Sequence, residues 1–410
     1  MIRRAFTSLN GGFRDNEPRI ALDVEFYDEE QERLLTPLLK SSRVDELIGV
    51  GLELSLDELL IFGTFKYQHD RDGVRNRSEL ERLVSKIRNG MLTEFFSLEE
   101  GSVHARSLSH RDNDSTDTCG VAASLAVASE LFGLHEADWE KIAVSQKKDL
   151  DFRIKASDAS RFVVVEAKGR LVSDIDALRE LSSAKGDILQ KKKAQRHDDS
   201  RDLYLGIIAA FPMDLSQRAK CRLVDPPIAD VPEDPRKYKL LCRLSHYQRE
   251  LSVLSRSPIV GVLANRIRSI WMIDEYEQLD GGFLIDRSGE QLQIPNSTLT
   301  TRSTIEKQAF GEVVPLEGSE FYFYGMLVEV LSLLIRQDHD EILDFQVDVK
   351  QVQTTVIARV FPSDLEGTGI DTTSLRKVAN SSRVAIEMSG LLSYTAGGHV
   401  LGSVRPISNN

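Results

Sequence analysis

Within residues 147–170, KKDLDFRIKASDASRFVVVEAKGR, acidic side chains and a lysine stand where a phosphodiester-hydrolysing site needs them. Leu150, Phe152 and Ile154 alternate with Asp149, Asp151 and Arg153, the period-2 pattern of a half-buried strand. Ser157-Asp158-Ala159-Ser160 reads as a polar turn. The apolar run Phe162-Val163-Val164-Val165 then gives way to Glu166-Ala167-Lys168-Gly169. Two carboxylates on adjoining strands, Asp151 and Glu166, can hold Mg²⁺ or Mn²⁺ by hard oxygen donors while leaving coordination positions free for water and phosphate. Lys168, two residues beyond Glu166, projects to the same side of its strand. It is placed to orient or deprotonate the water and to neutralise charge that develops on phosphate. Asp149 shares a face with Asp151; Asp151 is favoured because it leads into Phe152-Arg153-Ile154. The bland reading of the same residues is a surface hairpin with an ion pair, stabilising by less than about 1 kcal/mol.

These residues need a scaffold, and the neighbouring sequence supplies one. A helix is predicted from a cap at Asp117 or Thr118 to Gly133. Its small-residue face, Ala123, Ala126 and Val127, also carries Glu130. Residues 173–197 read as a second helix with a weak point at Gly186. Lys185, Lys191, Lys192, Lys193 and Arg196, with Arg201 just beyond, make the most basic stretch of the chain, where phosphates can dock, although a solvated face is the usual origin of such a run. Residues 203–211 read as a buried strand and 221–224 as another. Helix, strand, strand, helix, strand is the order of a mixed α/β domain.

Asp151 on one strand and Glu166-x-Lys168 on the next resemble the PD-(D/E)xK nuclease superfamily, over about residues 120 to 211. The resemblance implies a restriction-endonuclease-like mixed sheet flanked by helices. It also implies a Mg²⁺- or Mn²⁺-dependent endonuclease in which Asp151, Glu166 and the Ala167 carbonyl bind metal and Lys168 activates water. Glu130 matches the Glu that the family often adds from the preceding helix, and Gln190 or Lys185 matches the polar residue many members carry on the following one. Leu150 stands where the family places proline, and no tyrosine follows Gln190 by four residues. A restriction or phage-defence role on DNA, more than RNA, follows by analogy. Two other readings are a non-catalytic nuclease-fold scaffold or nucleic-acid-binding subunit, and an unrelated paired-carboxylate hydrolase that would leave Lys168 without a role. Glu166-Ala167-Lys168 is the one E-x-K triplet in the chain; Asp348-Val349-Lys350 is a decoy with no Asp on a preceding strand.

At 410 residues the chain exceeds a single simple core. Three units are expected: residues 1–100 of unknown role, 101–258 with the nuclease-like domain, and a C-terminal α+β unit, 259–410, suited to target recognition, a homodimer or a protein partner. A net charge of −12 excludes a general polyanion binder, so nucleic-acid contact must come from a local basic surface. Three scattered cysteines suggest neither a zinc site nor a disulfide framework. No apolar leader or membrane-length run is evident, which points to a cytoplasmic protein. His69 to Gly73 reads as a solvated turn. Residues 101–117, with His104, His110, Asp112 and Asp114, read as a linker without standard metal spacing. Elsewhere the pattern predicts a strand at 20–26, mixed apolar segments at 52–65, an amphipathic helix at 78–96 and a helix at 237–254. It further predicts a strand at 259–263, one apolar helix at 319–335, and strands at 343–349 and 354–361.

Overall fold

The structure is a computed structural model. It describes residues 19–36, 39, 42–67, 77–86, 96–99, 102–105, 113–141, 152–155, 162–195, 203–224, 235–254, 258–273, 284–285, 289–293, 299–301, 308–316, 320–366, 370, 375–378 and 382–407. The chain forms two compact units, not three. One takes residues 10–73 and 85–242; the other takes 1–9, 74–84 and 243–410. The expected boundary near residue 100 fails because the first strand belongs to the same sheet as the suspected site.

In the first unit, in chain order, lie β1 (Ile20–Phe26), α1 (Glu29–Leu35), α2 (Ser42–Val50), β2 (Leu52–Leu54) and α3 (Leu56–Thr64). After α4 (Arg77–Ser85), which belongs mostly to the second unit, come β3 (Phe96–Glu99), β4 (Ser102–Ala105), α5 (Asn113–Phe132), β5 (Glu140–Lys141), β6 (Phe152–Lys155) and β7 (Phe162–Val172). Then follow α6 (Leu178–Gln195), β8 (Leu203–Pro212) and β9 (Ala219–Val224). Seven strands form one mixed sheet in the order β2-β1-β9-β8-β7-β6-β5. β7 runs parallel to β8 and β1 parallel to β9, whereas β6–β7 and β8–β9 are antiparallel. The general α/β class expected from the sequence is present.

α5 is buried at every position from Thr118 to Ser129, because the sheet covers one side and α3 packs on another. A helix covered in this way needs apolar or small side chains all round, which explains its lack of a polar face. It begins at Asn113, earlier than expected, and ends before Gly133, which takes φ +64° as a helix-terminating residue does. The segment read as a linker is therefore partly structured. β4 pairs with β3, and Val103 and His104 are both 1% exposed.

The second unit contains α4 and the part of α7 (Pro235–Leu254) from Arg243 onward. It continues with α8 (Pro258–Met272), β10 (Leu299–Thr301), β11 (Gln308–Pro315), β12 (Phe321–Leu327), α9 (Val328–Arg336) and α10 (His339–Asp344). β13 (Lys350–Val360), β14 (Arg376–Lys377), β15 (Val384–Tyr394) and β16 (His399–Pro406) complete it. The ladder β13-β10-β11-β12-β16-β15 closes on itself through β13–β15, and every pairing is antiparallel. The result is a six-stranded closed barrel, which removes the edges an open sheet would expose.

Three expectations fail here. Residues 319–335 are not one helix: Phe321–Leu327 is a strand buried at all seven positions, and the helix starts only at Val328. A strand covered on both faces gives an unbroken apolar run that periodicity cannot separate from a buried helix. The stretch 259–263 is the first turns of α8, where Pro258 stands at the helix start and Ile259, Leu263 and Ile270 form its buried stripe. The strand expected at 343–349 is α10 followed by irregular chain, and β13 begins at Lys350. Among the described residues no helix is long and apolar enough to cross a membrane.

Candidate functional site

Glu166 and Lys168 lie mid-strand in β7, which runs on to Val172 and does not stop after the valine run as the sequence suggested. The face they occupy follows from packing. A Cβ added at Gly169 would meet the Thr116 carbonyl oxygen at 2.1 Å, and one at Gly120 would meet the Gly169 nitrogen at 2.4 Å. Gly169 and, by alternation, Ala167 thus face α5, so Glu166, Lys168 and Arg170 project from the other face. α6 covers that face. Arg170 reaches Asp187 at 3.8 Å, and a Cβ at Gly206, the ladder partner of Glu166, would come within 2.5 Å of Ile188.

Glu166 is 0% exposed, and Lys168 Nζ lies 2.6 Å from its Oε1. The lysine head remains partly open, with its side chain 21% exposed. A carboxylate removed from water beside aliphatic side chains is unfavourable by several kcal/mol unless it is paired, and Lys168 supplies that pairing. The contrast with the decoy is clear, since Asp348 and Lys350 are both exposed.

Asp149 and Asp151 lie outside the described residues, so the choice between them stays where the sequence left it. β6 begins at Phe152, and Phe152 pairs with Val165, the residue before Glu166. Glu130 is partly exposed in the last turn of α5, on the helix that packs against the opposite face of the sheet from Glu166 and Lys168. The sequence expectation that Glu130 joins them is corrected on that ground: strand alternation sends the Glu166 side chain away from α5. Ala167 is buried and its side chain faces α5.

On α6, Lys185 is committed within the unit. Its Nζ lies 2.6 Å from Asp28 Oδ2 and 4.5 Å from the Tyr27 ring centroid. Burial works to raise the Asp28 carboxyl, but the Lys185 hydrogen bond and two backbone amides together hold it below the usual carboxylate range. Gln190 is exposed. Lys191, Lys192 and Lys193 continue α6, and Arg196 lies outside the described residues.

The barrel unit carries a convergence that the sequence reading missed. His246 and Glu250, one turn apart on α7, meet His399 at the start of β16; one donor atom from each lies within 4.8 Å of the others, and all three residues are buried. The His-x₃-Glu spacing on a predicted helix was a visible signal. The partner His399 was not, because only the β12–β16 pairing brings it there.

No protein-family model, curated protein or solved structure matches the chain.

Proposed function

We propose that the mixed-sheet unit is a metal-dependent nuclease of restriction-endonuclease-like type, acting on nucleic acid and on DNA before RNA. The observation that carries this reading is the fully buried Glu166 with Lys168 at 2.6 Å, on the strand that pairs with β6. The order α5, β5, β6, β7, α6, β8 and the parallel β7–β8 pair support it, as they supply the helix, hairpin, helix and strand the resemblance implies.

Glu166 offers the hard oxygen that Mg²⁺ or Mn²⁺ prefers, and Asp151, immediately before β6, is the second donor that the resemblance assigns. The bound ion would supply charge neutralisation at the phosphate. Before it binds, Lys168 compensates the Glu166 carboxylate. With a cation on the carboxylate, the partly exposed Lys168 ammonium would hold a water and face charge developing on phosphate oxygens. Neither Glu130 nor Lys185 has a part in this reading, the first because of its face and the second because of its ion pair with Asp28.

Incubation with plasmid, single-stranded DNA and RNA in Mg²⁺ or Mn²⁺ should give cleavage that EDTA abolishes. Lys168→Met, checked as folded by circular dichroism at the assay temperature, should lower the rate by 100-fold or more, in the range expected for loss of a positioned acid–base or charge-stabilising group. Cleavage that survives in this variant or in EDTA refutes the assignment. Binding without cleavage by the unaltered protein favours the non-catalytic scaffold.

A further inference from the structure

We infer that the barrel unit holds its own zinc ion, bound by His246, Glu250 and His399 and independent of the proposed nuclease centre. Two imidazoles and a carboxylate are a recognised donor set for Zn²⁺, which takes nitrogen and oxygen ligands at about 2.0–2.2 Å in near-tetrahedral array. Bonds of that length at tetrahedral angles put donor atoms about 3.4 Å apart. The observed separations need only a small contraction: His399 Nε2 lies 3.9 Å from Glu250 Oε2, and all three donors fall within 4.8 Å of one another. The imidazole centroids are 5.1 Å apart with planes at 82°, close to what two rings sharing one ion require.

The surroundings hold this geometry in place. His246 and Glu250 sit at i and i+4 of α7, so their side chains stack on one face. His399 is opposite Met326 in the β12–β16 ladder, and Tyr324, two residues before Met326, shares its face. The Tyr324 hydroxyl donates to Glu250 Oε2 at 2.9 Å, the kind of outer contact that fixes a ligating carboxylate. His399 is anchored by its backbone, where its amide donates to Thr395 Oγ1 at 3.0 Å. At the residue after His246 on α7, the Tyr247 hydroxyl donates to the Gly397 carbonyl oxygen at 3.0 Å. His246 and His399 are 0% exposed, so the ion would join α7 to the β15–β16 hairpin from inside the unit. Three protein donors leave one position for water, which allows a ligand of small size to reach the ion only if the unit opens.

The whole protein, stripped with chelator and dialysed, should take up about one Zn²⁺ per chain in a titration followed by elemental analysis. Co²⁺ in its place should give the strong visible absorption of a four-coordinate site. Zinc should raise the melting temperature. Tyr324→Phe should weaken zinc about 10- to 100-fold while leaving the apo melting temperature little changed, as loss of an outer contact does. Glu250→Gln and His399→Gln should lose the ion, and Glu166→Gln should keep it, which separates this site from the nuclease centre. Stripped unaltered protein that binds no Zn²⁺ or Co²⁺ and shows no shift in melting overturns the assignment. So does uptake that survives in folded Glu250→Gln and His399→Gln, or uptake that only Glu166→Gln removes.

Discussion

Two buried thiols show how far a residue's surroundings alter its chemistry. Cys119 on α5 and Cys221 on β9 are fully enclosed, and burial pushes each thiol up to about 12 from an ordinary 9.0. A buried thiolate loses its hydration, and the Lys66 charge near Cys119 offsets only part of that loss, so the neutral form is favoured. Because the folded values lie above the unfolded ones, the folded state binds these protons more tightly. The stabilisation is complete below pH 9 and is lost as pH rises from 9 towards 12, by on the order of 1 kcal/mol per pH unit per thiol. Denaturant melts at pH 8, 9.5 and 10.5 should therefore show falling stability, and Cys221→Ala should shallow the slope. A slope unchanged by the substitution would show that other groups govern the alkaline limb. At Glu166 a buried side chain meets a cation instead, with Lys168 Nζ 2.6 Å from its Oε1. That arrangement was partly legible in the sequence: the spacing put both groups on one strand face, but only packing showed which face, and that Glu130 is on the other.

At the scale of elements, the site depends on how closely α5 approaches β7. Gly120 and Gly169 meet where a methyl group on either would overlap backbone atoms, at 2.4 Å and 2.1 Å. Such contacts are tolerable only for glycine. Gly169→Ala or Gly120→Ala should destabilise the unit by about 1–3 kcal/mol by forcing the helix outward. Gly186 gives the opposite expectation. It lies within α6 with open space around its Cβ position, so Gly186→Ala should stabilise by about 0.5–1 kcal/mol. Thermal or urea melts of the three variants check both signs together. Gly186 was recognised in the sequence as a weak point of a helix. The Gly120–Gly169 contact was not, because a crossing point between distant segments leaves no periodic trace.

At the scale of the whole molecule, the N-terminal segment is an internal part of the sheet. Leu22 and Val24 are 2% exposed, and β1 lies between β2 and β9, so strands from the chain's start complete the sheet that carries Glu166. A chain shortened to begin at residue 101 should expose the β9 edge and lose cooperative unfolding in calorimetry of this unit. Retention of a sharp transition with native amide protection in β7 and β8 would contradict that dependence. The barrel shows the same lesson: its closure pairs β13 with β15, and β10, β11, β12 and β16 complete the ring, across many intervening residues.

The sequence by itself determined the local chemistry. It fixed a strand at Ile20–Phe26, the hairpin strand with Glu166 and Lys168 on one side, the flanking helices, and the α/β class of the unit they form. These follow from side-chain period and turn residues, which act over a few positions. The tertiary structure decided the partition into two units, the closed barrel, the face that Glu166 shares with α6, and the meeting of His246 and Glu250 with His399. Each of those requires pairing between segments far apart in the chain. An apolar run such as residues 321–335 carries no mark of whether a sheet or a helix will cover it, because burial on every side removes the alternation that would distinguish them.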